Sequence, residues 1–148
     1  MSFLRPVALM IVVAALSSCS SGPKEPDKAA EERAASARLQ AIPSAANDKY
    51  RNMTNMKNWR NPYLIILPEG VGLLDPANNE QRLLKTDEML EALAALPPSA
   101  WPYGRVVVVT ENPIASTEEQ RIAIRRNKGI VAGTLEGAHV LINWVPSA

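Results

Sequence analysis

The sequence predicts an α+β fold, a two-layer sandwich in which a β-hairpin is followed by a helix, a strand, a helix and a strand. An apolar run at residues 63–67 precedes the turn sequence Pro68-Glu69-Gly70. Residues 105–110 contain four consecutive valines, which predicts a central strand buried on both faces. Helix-type patterns precede and follow that strand. Because strands that alternate with helices pair in parallel through right-handed crossovers, the hairpin and the later strands together predict a mixed sheet.

The hairpin is the first element of the predicted domain. Residues 63–67 are short, apolar and bounded by turn residues, which is typical of a strand. Residues 68–70 have turn chemistry, because proline presets its φ angle and glycine accepts positive φ. We expect residues 71–74 to return as the second strand. After a loop at residues 75–79, residues 82–85 are expected to add a short third strand.

A helix is predicted between the hairpin and the valine strand. Thr86 is a good N-cap residue, and Asp87 and Glu88 follow where the helix dipole favours acidic side chains. The apolar residues that mark one face of this helix are Met89, Leu90, Leu93, Ala94 and Leu96. Pro97 and Pro98 then end the helix.

A second helix and a final strand complete the predicted fold. Ser116 and Glu119 have the spacing of a capping box, and the helix they begin runs to about Gly137, its predicted C′ glycine. Residues 139–145 form the last strand. Asn127 lies on the apolar stripe of the helix, where unpaired amide groups would cost about 1–3 kcal/mol. We therefore expect Asn127 to bond to a neighbouring loop or backbone, or this face of the helix to be only partly covered.

The N-terminal segment has the parts of an export signal. Arg5 carries positive charge, and residues 7–16 form an apolar run too short to span a bilayer, which needs roughly 20 helical residues. The sequence Leu16-Ser17-Ser18-Cys19 resembles the lipobox of bacterial lipoprotein precursors. This resemblance implies that the signal is removed before Cys19, and that Cys19 is acylated and becomes the N-terminus. Two or more acyl chains make such an anchor stable.

The chain is predicted to have three parts. Residues 1–18 are the signal peptide, and residues 19–47 are a lipidated tether that is flexible at its start and then Ala-rich. Because the tether has few large apolar residues to bury, we expect its helix to fray and to space the domain from the bilayer. Residues 48–148 form a single periplasmic α+β domain. By resemblance to lipoproteins of double-membraned bacteria, Ser20 in place of aspartate favours the outer membrane, on its inner leaflet.

Composition restricts the chemistry that the chain can perform. It has 16 basic and 15 acidic residues, and this near balance gives no electrostatic case for binding nucleic acid or an anionic membrane surface. With one histidine, His139, and Cys19 consumed by acylation, there is no metal cluster of the usual spacing and no identifiable nucleophile–base pair. We therefore expect no catalytic residue, no metal and no cofactor, and the chain is predicted not to be an enzyme.

The most unusual short segment is Trp101-Pro102-Tyr103-Gly104-Arg105. Aromatic rings beside an arginine suit a sugar, a peptide or a partner protein, because rigid rings bind with little loss of entropy. The candidate binding residues are Trp101, Tyr103 and Arg105, with Trp59 and Tyr63. If the first strand runs parallel to the valine strand, the four aromatic side chains gather at one edge of the sheet. In the alternative interpretation, this segment is an aromatic plug that closes the end of the core.

The order of elements is similar to that of the periplasmic domain of the ExbD/TolR family. The matching segments are Leu64 to Leu67 with Glu69-Gly70, then Leu90 to Leu93, then Tyr103 to Val107. That family has a transmembrane helix with an aspartate for proton coupling, whereas this chain resembles a lipid-anchored protein, so a motor function is not implied. The segment at residues 101–105 also resembles one found in uncharacterised bacterial envelope proteins.

These observations predict a periplasm-facing, lipid-anchored interaction module that binds an envelope protein or a second copy of itself without catalysis. The alternative is a peptidoglycan or glycan binder whose contact set is Trp101, Tyr103 and Arg105. A third hypothesis is a small envelope hydrolase, which requires a pocket with convergent polar groups near His139 or Glu111.

Overall fold

The structure is a computed structural model and describes residues 27–76 and 78–146. Within these residues, five strands form one sheet: β1 (Tyr63–Leu67), β2 (Gly70–Asp75), β3 (Glu80–Leu84), β4 (Val106–Glu111) and β5 (Leu141–Trp144). The α-helices are α1 (Lys28–Gln40), α2 (Met89–Ala94) and α3 (Glu118–Gly137).

The sheet is mixed, and its strand order is β3-β2-β1-β4-β5. β2 is antiparallel to both β1 and β3, whereas β4 is parallel to both β1 and β5. The predicted α+β class is therefore confirmed, together with the hairpin and the two crossovers. The valine strand is paired on both sides, and its residues from Val106 to Thr110 are all buried. The prediction of a buried strand at residues 105–110 is confirmed. This strand lies inside the sheet, but the middle strand of the five is β1.

The two faces of the sheet are covered differently. Side chains alternate along a strand, so Val107 and Val109 of β4 join the main core beneath the three helices, and we call this side the helix face. Val106 and Val108 point to the opposite side, the open face, where residues 45–63 cover them in a smaller cluster. Away from that cluster the open face has no helix over it among the described residues, and Leu83 of β3 is largely exposed.

Helix α1 packs on the domain, although residues 19–47 were predicted to form a tether that only spaces the domain from the bilayer. Ala35 and Leu39 lie four positions apart on one side of α1 and are buried in the main core, and α1 contacts α2. Ion pairs Lys28–Asp87 and Arg38–Glu91 flank this contact. α1 buries only two residues, but α2 buries four and supplies the surface against which α1 packs. The sequence of α1 alone does not reveal this surface. The folded part of the chain therefore begins before residue 48, and residues 28–40 belong to it.

Both later helices begin one to three residues after their predicted starts. Residues 86–88 form a turn, in which the Glu88 carboxylate accepts a hydrogen bond from the Lys85 amide at 3.0 Å, and α2 follows. In α3 the capping box is formed by Thr117 and Gln120 instead of Ser116 and Glu119. Ser116 with Glu119 and Thr117 with Gln120 both have the spacing of a capping box, in which the second residue lies three positions after the first. Spacing alone therefore does not select between the two pairs.

The end of α3 differs from the prediction in a specific way. Gly137 remains inside the helix, and His139 adopts the left-handed conformation with φ of 57°. The amide of Val140 donates to the Leu135 carbonyl at 2.9 Å, and the His139 amide donates to the Glu136 carbonyl at 3.0 Å. These two bonds form a Schellman motif, a common way to end a helix. Histidine thus takes the position predicted for glycine and turns the chain into β5.

Asn127 is buried in the contact between α3 and the sheet. Its amide nitrogen donates to the carbonyl of Leu67 at 2.8 Å and to the carbonyl of Pro68 at 3.2 Å. The helix is thereby connected to the turn between β1 and β2. Of the two predicted outcomes for this residue, bonding to a neighbouring loop is confirmed.

Candidate functional site

Of the four predicted aromatic residues, the structure brings Trp59, Tyr63 and Tyr103 together on the open face and separates Trp101 from them. β1 is parallel to β4, as their clustering required, but Trp101 packs in the main core on the helix face while Trp59 packs on the open face. Only 4% of Trp101 and 2% of Trp59 are exposed. Neither indole ring offers a flat surface to a sugar or a peptide in this structure.

Trp59 is instead part of an aromatic cluster that covers β4. Its ring centroid lies 5.1 Å from that of Tyr103 and 5.5 Å from that of Tyr50, the latter in an edge-on arrangement. The indole nitrogen donates to the Pro62 carbonyl at 3.3 Å, and the Tyr103 hydroxyl donates to the Asn58 carbonyl at 3.2 Å. Tyr50 was not foreseen as a member of the cluster, because it lies in a polar segment without a strand or helix pattern. Packing of this kind matches the aromatic-plug interpretation for Tyr103.

Asn61 holds this region together and was not singled out from the sequence. Its side-chain nitrogen donates to the carbonyls of Gly104 at 2.7 Å and Val106 at 2.8 Å, and its oxygen accepts from the Tyr103 amide at 2.9 Å. Gly104 has φ of 77°, and a Cβ there would come within 2.3 Å of the Ser44 carbonyl oxygen. This crowding explains the glycine between the predicted binding residues Tyr103 and Arg105.

The guanidinium group of Arg105 donates hydrogen bonds to backbone carbonyl groups. Its Nε donates to the His139 carbonyl at 2.7 Å, and its Nη1 donates to the carbonyls of Ile42 at 3.2 Å and Leu39 at 3.4 Å. A guanidinium at the carboxyl ends of helices is favoured by the helix dipole. Arg105 therefore joins the end of α1 to the start of β5, and these contacts occupy its Nε and Nη1 donors.

The two residues considered for hydrolysis lie at opposite ends of the sheet. Glu111 is the last residue of β4 and His139 precedes β5, and these strands are parallel. The Glu111 carboxylate forms an ion pair with Lys128 of α3, and the Lys128 ammonium lies 4.9 Å from the ring centroid of Trp144. No three His, Cys, Asp or Glu side chains in residues 27–76 and 78–146 are grouped so that they could hold a metal ion.

A groove of about 510 Å³ lies on the open face, where the carboxyl ends of β1, β4 and β5 meet. We call it the open-face groove, and its main walls are Met56, Tyr63, Ile65, Leu67, Thr110 and Val145. This volume is within the range of small-ligand and side-chain pockets, and the edge formed by the carboxyl ends of parallel strands is a frequent binding position. It was not predicted from the sequence, because it depends on which face of β1 remains uncovered.

The hydroxyl groups of Thr110 and Tyr63 are among the polar groups that border the groove. Thr110 is only 8% exposed, and its Oγ1 has no hydrogen-bond partner in the described residues. Burial raises the pKa of the neighbouring Tyr63 phenol, and the nearby Thr110 hydroxyl partly offsets this, although the two oxygens are not in full hydrogen-bond geometry. A buried hydroxyl without a partner costs about 1–3 kcal/mol, so the groove floor contains unused hydrogen-bonding capacity.

The remaining predicted residues, Leu16, Ser17, Ser18 and Cys19, lie outside the described residues. None of the helices described by the structure combines the length and apolar character needed to cross a membrane. Comparison of the chain with protein-family models, curated proteins and solved structures found no match.

Proposed function

We propose that this protein is a non-catalytic interaction module, lipid-anchored through Cys19 and facing the periplasm, which binds an envelope protein or a second copy of itself. The observation that carries this proposal is the open-face groove. It is a concave apolar surface on the face of the sheet that none of the described α-helices covers.

The groove lining favours an uncharged, apolar occupant. Ile65 and Leu67 project from β1 and are only half-buried, so a partner can remove more of their surface from water. Complete burial of such a side chain contributes about 1.5–3 kcal/mol. Glu111 is a charged residue in the lining, and Lys128 already neutralises it. We propose that the occupant at this surface is an extended apolar segment of another envelope protein.

Site-specific photo-crosslinking tests this proposal in the intact lipoprotein in its own membranes. A photoreactive residue at Leu67 is expected to crosslink to one discrete protein, whereas the same residue at the exposed Ile122 of α3 is not. The purified partner should bind the full chain, and Ile65→Asp should weaken that binding at least about tenfold, because a desolvated carboxylate replaces an apolar contact. Equal crosslinking from both positions, or unchanged affinity of Ile65→Asp, would contradict the proposal.

The glycan-binding alternative has less support. It requires accessible rings at Trp101 and Tyr103 beside a free guanidinium, but Trp101 is buried and Arg105 donates to three backbone carbonyls. Co-sedimentation with purified sacculi tests it directly. Binding that survives Tyr103→Ala but is lost with Leu67→Asp would identify the groove as the glycan site and would replace the protein-segment proposal.

A further inference from the structure

We propose that β5 pairs with β5 of a second copy of this chain, antiparallel and with Asn143 facing Asn143, so that two sheets become one. This inference rests on the proposed interaction role and specifies one partner for it. The β5 edge meets the open-face groove at Val145, so the groove is tested at Ile65 and Leu67 and the β5 edge at Asn143, which does not line the groove.

The two edges of the sheet are protected to different degrees. β3, at one edge, contains Glu80, Gln81 and Arg82, all exposed, and charged residues on an edge strand discourage pairing with other molecules. β5, at the other edge, reads Leu-Ile-Asn-Trp, with no charge, no proline and no interruption of its register with β4. Leu141 is 49% exposed and Trp144 is 42% exposed. An uncharged, apolar edge of this kind is favourable for strand addition.

Within residues 27–76 and 78–146, no strand pairs with the outer edge of β5. The amide of Leu141 donates to the Arg105 carbonyl at 3.1 Å, and the amide of Val145 donates to the Val109 carbonyl at 3.0 Å. Backbone groups of a strand point alternately to the two sides, so Leu141, Asn143 and Val145 bond to β4. The amides and carbonyls of Ile142 and Trp144 consequently point away from the sheet, toward the edge that a second strand would occupy.

One antiparallel register satisfies these groups in a symmetric way. If Ile142 faces Trp144 of the second copy, each pair exchanges both of its backbone hydrogen bonds across a twofold axis. Leu141 then faces Val145, and Asn143 faces Asn143. On the helix face the opposed side chains are isoleucine and tryptophan, and on the open face two amides are flanked by apolar pairs.

The neighbouring symmetric registers are less favourable. If Ile142 faced itself, Leu141 would oppose Asn143 and leave an amide against an apolar side chain, which costs about 1–3 kcal/mol for each buried unpaired group. If Trp144 faced itself, Ile142 would oppose Pro146, which has no amide hydrogen to donate. A shift by a single residue would exchange the two faces of the sheet. The Asn143-centred register avoids each of these problems.

Disulfide crosslinking in the intact lipoprotein tests this register. Asn143 would form a non-hydrogen-bonded pair with Cα atoms about 4.5 Å apart, which is within the distance range of disulfides. Under mild oxidation in membranes, Asn143→Cys is expected to give a covalent dimer well above the wild-type background. Leu141→Cys serves as the control, because two copies of residue 141 would be about 13 Å apart in this register. Crosslinking of both variants to the same extent, or of neither, would refute the proposal.

A charge variant provides a second test that does not depend on thiol chemistry. Asn143→Lys places two like charges opposite each other across the pair, whereas Gln81→Lys adds the same charge to the same face at the other edge. In sedimentation of the detergent-solubilised full chain, Asn143→Lys is expected to raise the dimer dissociation constant by about fivefold, the upper end of the cost of one such pair. Gln81→Lys should leave it unchanged. A dimer equally insensitive to both variants would exclude the β5 edge as its interface.

These outcomes are distinguishable from failure of the groove proposal. Ile65→Asp is expected to weaken partner binding at the groove and to leave the Asn143→Cys crosslink intact. If the groove partner binds while Asn143→Cys gives no dimer, the interaction role stands and the second copy is excluded as the occupant of β5.

Discussion

Two buried asparagines, Asn61 and Asn127, connect segments that are far apart in sequence. Asn61 bonds to the backbone around residues 103–106, and Asn127 bonds to the turn after β1. Each amide forms hydrogen bonds to backbone groups that an apolar side chain could not form, and the loss of hydrogen bonds to buried backbone groups is costly. At the residue scale, specific amide hydrogen bonds therefore determine how loops and helices are placed on this sheet.

Replacement of Asn61 by alanine is expected to reduce the free energy of unfolding by about 2–4 kcal/mol, because the Val106 carbonyl and the Tyr103 amide lose their bonds to this side chain, and the Gly104 carbonyl keeps only its bond from the Val106 amide. Urea denaturation of the full chain measures this change. Asn52→Ala, at an exposed position, is the matched control and should change the unfolding free energy by less than about 0.5 kcal/mol. A similar small effect at Asn61 would show that water or neighbouring groups replace its bonds.

The pKa of Tyr63 leads to an expected pH dependence of stability. Burial raises the pKa of its phenol above the ordinary value of 10.0, so the unfolded chain loses this proton at lower pH than the folded chain. The stabilisation is complete below pH 10 and is lost as pH rises through the folded pKa. We expect the urea midpoint of the wild type to fall above about pH 10, and that of Tyr63→Phe to fall less. An identical alkaline decline in both proteins would contradict this assignment.

Helix α1 is the element whose role changed most between sequence and structure. Its sequence is rich in alanine and charged residues, and only Ala35 and Leu39 of the helix are buried. The flanking ion pairs with α2 are solvent-exposed, and such pairs contribute about 0–1 kcal/mol each. At the element scale, α1 is attached mainly by the burial of Leu39 and by the Arg105 contacts at its end.

The variant Leu39→Ala tests whether α1 is part of the folded unit. Leu39 is fully buried, and removal of such a side chain costs about 2–5 kcal/mol. We expect a corresponding decrease in the unfolding free energy, measured with urea in the full chain. Gln40→Ala, at the next and exposed position, should have almost no effect. If both variants unfolded like the wild type, α1 would have to be regarded as a tether after all.

At the scale of the whole molecule, the sequence pattern predicted the strands of the sheet far better than it predicted which residues form a binding surface. The valine strand and the hairpin were recognisable because burial on both faces, or a proline–glycine turn, leaves a local pattern in the sequence. The burial of Trp101 and the hydrogen bonds of Arg105 leave no such pattern. Trp101 packs in a core built from distant segments, and Arg105 bonds to Leu39 and His139, which are far from it in the chain. The open-face groove exists because no helix packs over the open face of β1 among the described residues. The local sequence of β1 does not indicate which of its faces remains uncovered.

The docking of α1 has a consequence for how the protein would sit at a membrane. Lys28, at the start of α1, contacts Asp87 before α2, so the chain enters the fold on the side of the helix layer. If Cys19 is acylated as we propose, residues 20–26 are the connection to the bilayer and extend at most about 25 Å. So short a connection favours an orientation with the helix layer toward the lipid and the open face turned away from it. We therefore expect the partner of the groove to approach from the periplasm or the opposite membrane, not from within the bilayer that holds the anchor.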